Sequence, residues 1–248
     1  MQSIGKYLFY NCVSLKSIDI PNSITSIDDF AFYNCNSLES INIPDNVISI
    51  GNNTFNNCSS MISIQMPFNL ISIGKDAFYC CSSIYMLNIS GSGLMRDFSD
   101  KDLPWSSFRA QIKTANIVEN ISSIGSYALS NFINLIKINL PNSITSIGDY
   151  SFSGCKSLKS IDIPKNVSLI GYHSFYNCTS LTSINIPMKM KSSGNNAFDD
   201  CPSLCALKLS GSGPMEDFSS LNPIWYPLSQ QIITLDIEEG ITYIGSYA

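Results

Sequence analysis

Leu15-Lys-Ser-Ile18-Asp-Ile20-Pro21 recurs along this chain at a fixed interval of 23 residues. A leucine, methionine or isoleucine opens each copy, and apolar residues follow at the offsets of Ile18 and Ile20. Further copies begin at Leu38, Met61, Leu135, Leu158, Leu181 and Leu204. A period of roughly 20–29 residues with Leu or Ile at set offsets is typical of leucine-rich-repeat solenoids, in which each repeat forms one turn and contacts mainly its neighbours. The sequence therefore predicts a coil of stacked turns.

A longer period lies above the first. Two steps between copies are 28 residues long, from 84 to 112 and from 204 to 232, and the whole pattern repeats after 120 residues. Ser90-Gly-Ser-Gly93, for example, returns as Ser210-Gly-Ser-Gly213. We predict a single leucine-rich-repeat solenoid over residues 1–248, made of two five-turn blocks at approximately 1–128 and 129–248. Because no polar terminal cap is visible, we expect the chain to be a fragment of a longer array.

Each turn has a simple internal pattern. Ile18 and Ile20 alternate with polar residues, which predicts a short strand whose β-branched side chains face the core. The predicted fold is mainly β: a right-handed coil of about ten turns, with short strands stacked into a parallel sheet and short helical or turn segments elsewhere. A recurrent pair such as Ala31-Phe32 predicts one large ring in the core of each turn. A glycine column, with Asp28 as the exception, predicts a turn with positive φ. Its members are Gly51, Gly74, Gly125, Gly148, Gly171, Gly194 and Gly245.

The cysteines follow the same period. Phe132 takes the place of cysteine in one turn, so this column accepts Cys or Phe and is apolar. We therefore predict a ladder of buried free thiols rather than disulfides. Paired zinc ligands of the C-x-x-C type are missing, so we predict no metal site and no cofactor. The cysteines of this column lie three residues before each predicted strand: Cys12, Cys35, Cys58, Cys81, Cys155, Cys178 and Cys201.

Composition and the single histidine narrow the function classes. Charged residues make up 13% of the chain, the net charge is −5, and no Lys/Arg run occurs, so nucleic acid is not an expected partner. No apolar stretch approaches roughly 18 residues, so no membrane span is predicted in this chain. His173 would have to serve any Ser-His-Asp or Cys-His site, yet its column is variable from turn to turn. We predict that the protein is not an enzyme.

The repeat carries a family resemblance. Cys155-Lys-Ser-Leu158-Lys-Ser-Ile161-Asp-Ile163-Pro164, continued by Val167, Ile170-Gly171, Phe175 and Cys178, resembles the BspA-like or treponemal-type leucine-rich repeat. The same offsets recur in most turns. The resemblance implies a cell-surface or secreted adhesin that binds extracellular-matrix components or host cells. It implies no catalytic residues, because the family has no catalytic motif.

A binding face is predicted on the outward side of the strands. This face is rich in amides and hydroxyls, which can bind a protein or glycan through many weak hydrogen bonds. Where the polar columns break, we predict that Ile62, Tyr85 and Met86 form an apolar patch, since exposed apolar patches rimmed by polar groups often mark interfaces. The outward polar column completes the predicted partner-binding set: Gln65, Asn88, Asn116, Asn139, Asp162 and Asn185.

Alternatives remain open at this point. Stacked Asn and Ser side chains can instead bond one another along the sheet and stabilise the coil without any ligand. The chain could also be a structural spacer, or an intracellular protein–protein interaction module in which reduced cysteines would be natural. The apolar residues of the two 28-residue turns are expected to pack those turns: Met95, Phe98, Trp105, Met215, Phe218 and Trp225.

Overall fold

A computed structural model of the chain describes residues 2–99, 102–190, 192–194, 196–215 and 228–244, without the side chains of residues 192 and 193. The chain divides into two compact units. Unit 1 comprises Met1–Gly91 and Lys101–Val118, and unit 2 comprises Ser92–Asp100 and Glu119–Ala248. The single solenoid with five-turn blocks stays a prediction.

Unit 1 is built from short parallel strands. Strand neighbours in each sheet are one repeat apart, so that Ile41 pairs with Ile64 and Met86 pairs with Thr114. Its first sheet contains β3 (Ser40–Asn42), β5 (Ser63–Pro67), β7 (Met86–Ser90) and β9 (Thr114–Ile117). Its second sheet contains β1 (Ser3–Ile4), β2 (Ser26–Ile27), β4 (Ser49–Ile50) and β6 (Ser72–Ile73).

Unit 2 repeats this construction. One sheet contains β13 (Ser160–Ile161), β15 (Ser183–Pro187), β17 (Ala206–Ser210) and β19 (Thr234–Ile237). Another contains β8 (Gly93–Leu94), β10 (Ile121–Ile124), β12 (Ser146–Ile147), β14 (Leu169–Ile170) and β16 (Ser192–Ser193). Strands β18 (Gly213–Pro214) and β20 (Ile241–Tyr243) pair with each other, and β11 spans Lys137–Asn139.

The solenoid prediction is confirmed. The described residues form a parallel-strand β-solenoid of about nine turns, with a short 3-10 turn at Arg109–Gln111. A local difference occurs in the first turn, where residues 15–20 do not form the expected strand. The Glu39 N–H still donates to the Lys16 carbonyl at 3.1 Å, so this segment follows the backbone ladder without strand geometry.

One aromatic ring fills the core of most turns, as predicted. In unit 1, Phe32, Phe55 and Phe78 are stacked at centroid spacings of 5.2 Å, and all three are buried. Unit 2 contains the equivalent stack of Phe152, Phe175 and Phe198. This spacing is close to the distance of about 4.8 Å between neighbouring strands, so the ring ladder follows the backbone repeat.

The two 28-residue turns also bury their apolar side chains where these side chains are described. Met95, Phe98, Trp105 and Met215 are each at most 5% exposed. The packing prediction holds for these four residues. Phe218 and Trp225 lie outside the described residues.

The cysteine column is buried in all but one turn, as expected for an apolar column. All nine cysteines are free, and six of the seven in the column are buried. Each of these six thiols donates to a backbone carbonyl of the preceding turn; Cys58 Sγ, for example, lies 3.3 Å from the Phe32 oxygen. Burial raises the pKa of the Cys155 thiol to about 12, so this thiol stays protonated at neutral pH.

The positive-φ prediction is wrong for the six described members of the glycine column, and Gly245 lies outside the described residues. Positive φ among glycines occurs elsewhere, and the column is explained by close approach of the backbone. A Cβ on Gly74 would lie 2.4 Å from the Asn52 nitrogen, and one on Gly125 would lie 1.9 Å from the Arg96 oxygen. The left-handed backbone lies instead at the turn columns that contain Asn34 (φ 62°) and Tyr150 (φ 53°).

Candidate binding surface

The residues that immediately precede the first-sheet strands of unit 1 form an exposed row. Backbone N–H groups link consecutive members: Ile62 donates to Glu39 (2.8 Å), Tyr85 to Ile62 (3.1 Å), and Lys113 to Tyr85 (2.8 Å). All four side chains are exposed. Ile62 and Tyr85 are therefore neighbours in space and are flanked along the row by a carboxylate and an ammonium group.

Met86 joins this pair. Its N–H also donates to the Ile62 carbonyl, at 3.3 Å, and its half-buried side chain lies on β7 between Ser63 and Thr114. Ile62 is 40% exposed and Tyr85 is 42% exposed. The structure thus places these three predicted residues together; they are called the apolar patch below.

On the first sheet of unit 1, predicted side-chain amides form a hydrogen bond with each other. Asn88 is paired with Gln65 on one side and with Asn116 on the other. Asn116 Nδ2 donates to Asn88 Oδ1 at 2.7 Å, and all three side chains are half-buried. This bond is the inter-rung contact that an amide ladder makes without a ligand.

The remaining predicted residues belong to unit 2, and Asn185 has an internal role there. Its Oδ1 accepts from the Ile163 N–H at 2.6 Å, and its Nδ2 donates to the Ile163 carbonyl at 2.7 Å and to Ser210 Oγ at 3.2 Å. Asn185 therefore joins the ends of neighbouring strands rather than facing a partner with free polar atoms. Asn139 and Asp162 are exposed.

In unit 2, the sheet that contains β17 and β19 has charged side chains on its strands, whereas the strands of the first sheet of unit 1 have none. Lys208 is paired with Asp236 across β17 and β19. Lys165 Nζ lies 3.6 Å from Glu238 Oε1, and Glu238 Oε2 accepts from the Gly211 N–H at 2.7 Å. The Gly211 N–H and, more weakly, the Lys165 ammonium lower the pKa of Glu238 below its usual range.

A second exposed apolar pair was not singled out from the sequence. Ile48 and Ile71 lie beside the second sheet of unit 1, with exposures of 45% and 69%. The Ile71 N–H donates to the Ile48 carbonyl at 2.8 Å, so the two residues are consecutive members of one row. Their signal in the sequence is two isoleucines at an offset where other turns carry Thr25 or Thr145.

His173 lies among aromatic rings rather than in a catalytic arrangement. It has a left-handed backbone (φ 48°), its ring stacks on Tyr150 at 5.3 Å, and the edge contact with Tyr172 is 3.9 Å between centroids. In the described part of the chain, no group of three or more His, Cys, Asp or Glu side chains is arranged to hold a metal ion. No described helix is both long enough and apolar enough to span a bilayer.

The repeat geometry agrees with a comparison against protein families. The model for the BspA type leucine rich repeat region matches residues 1–97 and 105–205, in six copies. The chain belongs to this family. Within the matched residues, the leucine, isoleucine, cysteine and phenylalanine columns of this chain are largely buried.

The chain also matches solved structures of bacterial proteins. A leucine-rich repeat protein from Bacteroides ovatus is 27% identical, with 100% of this chain and 67% of that chain covered and a TM-score of 0.47. A leucine rich cell surface protein from Faecalibacterium prausnitzii is 26% identical over 85% of this chain and 70% of that chain, with a TM-score of 0.42. The pneumococcal vaccine antigen PcpA is 16% identical over 90% of this chain and 60% of that chain, with a TM-score of 0.43. The comparison with curated proteins returned no match.

Proposed function

We propose that this BspA type protein is a non-catalytic, adhesin-like binding scaffold, located at the cell surface or secreted. It recognises host or extracellular-matrix macromolecules, with the apolar patch of unit 1 as its principal contact. Solenoids of this kind offer extended surfaces that suit large ligands, because each turn adds one row of exposed side chains to its neighbours.

The observation that carries the proposal is the adjacency of Ile62 and Tyr85 on the surface. Both are about two-fifths exposed, and their row continues into Glu39 on one side and Lys113 on the other. An apolar centre with a charged rim is the composition of an interface hot spot, and Tyr is enriched in such hot spots. Truncating a central aromatic side chain of this type costs about 2 kcal/mol of binding free energy or more.

The amides beside the patch contribute less. The bond between Asn116 and Asn88 fixes the orientation of both groups, so a partner meets them without further ordering. Each additional hydrogen bond to a ligand adds about 0.5–1.5 kcal/mol. The apolar patch therefore provides most of the affinity in this proposal, and the amide rows provide register.

A second candidate is an intracellular protein–protein interaction module. The nine free cysteines favour it, because reduced thiols are usual in the cytosol. In an extracellular location the same thiols would stay free only if burial protects them from oxidation, and six of the seven thiols of the column are buried. Subcellular fractionation of the native protein, with a thiol-labelling reagent that does not cross membranes, separates the two candidates.

Binding can be tested with the immobilised full chain against a panel of purified matrix proteins and glycans. For a ligand that binds, Tyr85→Ala combined with Met86→Lys is expected to weaken affinity about tenfold or more, as for loss of a hot-spot residue. Ile71→Ala is the matched control, since Ile71 is also exposed and apolar but lies beside the second sheet. Equal affinity of the double variant and the wild type would remove the apolar patch from the proposal.

A further inference from the structure

Unit 1 contains a seat for an ammonium group that is occupied by its own Lys6. Lys6 Nζ lies 5.2 Å from the ring centroid of Tyr7, 6.0 Å from that of Phe30, and 3.8 Å from Asp29 Oδ2. The Tyr7 and Phe30 rings are stacked at 5.1 Å. Two aromatic faces or edges and one carboxylate thus surround a lysine ammonium, which combines a cation–π contact with an ion pair.

Unit 2 builds the same seat 120 residues later. Tyr127 and Tyr150 correspond to Tyr7 and Phe30, and their rings are stacked at 4.9 Å with an interplanar angle of 10°. The carboxylate is conserved in position as well. Asp149 Oδ1 accepts from the N–H of the next turn, that of Tyr172, at 2.7 Å, as Asp29 Oδ1 accepts from Asn52 at 2.7 Å.

The occupant is what differs. Ser126 stands where unit 1 has Lys6, so the seat of unit 2 has no ammonium of its own. Among the described residues, neither Asp149 nor Asp97 forms an ion pair with a lysine or arginine. Asp97 adds a second carboxylate beside the seat, because its Oδ1 accepts from the Ser126 N–H at 2.7 Å.

The aromatic wall is also larger in unit 2. Tyr172, which is 39% exposed, packs its edge against Tyr150 at 5.5 Å, at the place where unit 1 has Asn52. Partial desolvation, followed by the neighbouring Tyr172 and Tyr127 and by Asp149, raises the pKa of Tyr150 above its ordinary value. The surroundings thus disfavour another negative charge.

We propose that the surface formed by Tyr127, Tyr150 and Asp149 binds a lysine side chain of a partner protein, in the position that Lys6 occupies in unit 1. The primary ammonium follows from the occupant of the matching seat, which is an amine on a flexible stem. This site lies on unit 2 and does not depend on the apolar patch. It supplies a charge-specific contact that the apolar patch lacks.

The test is a titration of the isotope-labelled full chain with acetyl-Gly-Lys-Gly-amide, followed by amide chemical shifts. The matched probe is the same peptide with an Nε-acetylated lysine, which is neutral but similar in shape. Saturable shifts are expected at Ser126, Tyr127, Tyr150 and Tyr172 with the first peptide, and affinity for the acetylated peptide should be at least about fivefold weaker. Equal responses to the two peptides would overturn the proposal.

Two substitutions exchange the occupants of the seats. Ser126→Lys supplies unit 2 with its own ammonium and is expected to abolish the saturable shifts around Tyr127. Lys6→Ser empties the seat of unit 1 and is expected to create a new response at Tyr7 and Phe30. Unchanged binding at Tyr127 in the Ser126→Lys variant, with its fold verified by circular dichroism, rejects the site. A Lys6→Ser variant without a new response rejects the equivalence of the two seats on which the proposal depends.

Discussion

Gly51 in unit 1 and Gly171 in unit 2 occupy the same place in the repeat, 120 residues apart, and their surroundings agree. A Cβ added to Gly51 would lie 2.4 Å from the Asp29 nitrogen, and one added to Gly171 would lie 2.5 Å from the Asp149 nitrogen. At this column the repeat alone determines the environment of the backbone.

Side chains at equivalent positions can nevertheless have different partners. Thr54 of unit 1 corresponds to Ser174 of unit 2, and both are fully buried. The Thr54 hydroxyl donates to Gly51 O at 2.7 Å and lies 3.1 Å from Asp28 O, whereas Ser174 Oγ has no hydrogen-bond partner among the described residues. Lys6 and Ser126 differ in the same way, as one fills its seat and the other does not. Comparing the units therefore separates what the repeat requires from what each turn has acquired.

The largest effect is expected from this glycine pair. Gly51→Ala and Gly171→Ala each force a Cβ into the backbone of the preceding turn, and each should lower the free energy of unfolding by about 3 kcal/mol. Ser72→Ala, at an exposed position of the second sheet of unit 1, is the control and should change it by less than about 0.5 kcal/mol. Chemical denaturation of the three variants measures these values. A loss in only one unit would mean that the repeat does not determine the environment of this column.

An effect of opposite sign in the two units is expected from the buried hydroxyls. Thr54→Ala removes a hydroxyl with two carbonyl neighbours and should destabilise the protein by about 1–2 kcal/mol. Ser174→Ala removes a buried hydroxyl without a partner and should stabilise it by about 1 kcal/mol. Melting temperature and denaturant midpoint should move in opposite directions. A destabilised Ser174→Ala variant would show that Ser174 has a partner in solution, such as a buried water.

Much of the fold could be predicted from the sequence, because a solenoid repeats its constraints. Each buried column is seen many times, so a single exception such as Phe132 among the cysteines identifies the column as apolar. The glycine column shows where this reasoning fails. Positive φ and close backbone approach both select glycine, and the sequence does not distinguish them, whereas the Cβ distances do.

The candidate site could be predicted in part. The adjacency of Ile62, Tyr85 and Met86 follows from the 23-residue register alone, and the structure has that adjacency. The internal role of Asn185 does not follow from it, because the bonds to Ile163 and Ser210 depend on how the chain turns after the strand. The lysine seat was not predicted, for a related reason. Whether the rings and carboxylates of adjacent columns lie together around one ammonium group depends on the turn geometry, which the sequence does not show.

The smallest effect concerns a turn column in which unit 1 has a ladder of amides that ends at a cysteine. Asn34 Nδ2 donates to Asn11 Oδ1, and Asn57 Nδ2 donates to Asn34 Oδ1 at 2.6 Å. Cys80 is the next member, is exposed, and has the same left-handed backbone (φ 59°). In unit 2 the ladder is interrupted by Gly154, which has no side chain to extend it.

Cys80→Asn should therefore stabilise the protein by about 0.5 kcal/mol, because asparagine tolerates positive φ and the new amide can donate to Asn57 Oδ1. Cys80→Ala is the control, as it removes the thiol without supplying an amide and leaves a Cβ in the left-handed region. The two variants should differ in melting temperature, with Cys80→Ala at or below the wild type. Equal melting temperatures of the two variants would mean that the amide ladder contributes no measurable stability to unit 1. The missing side chain at Gly154 would then not destabilise unit 2 either.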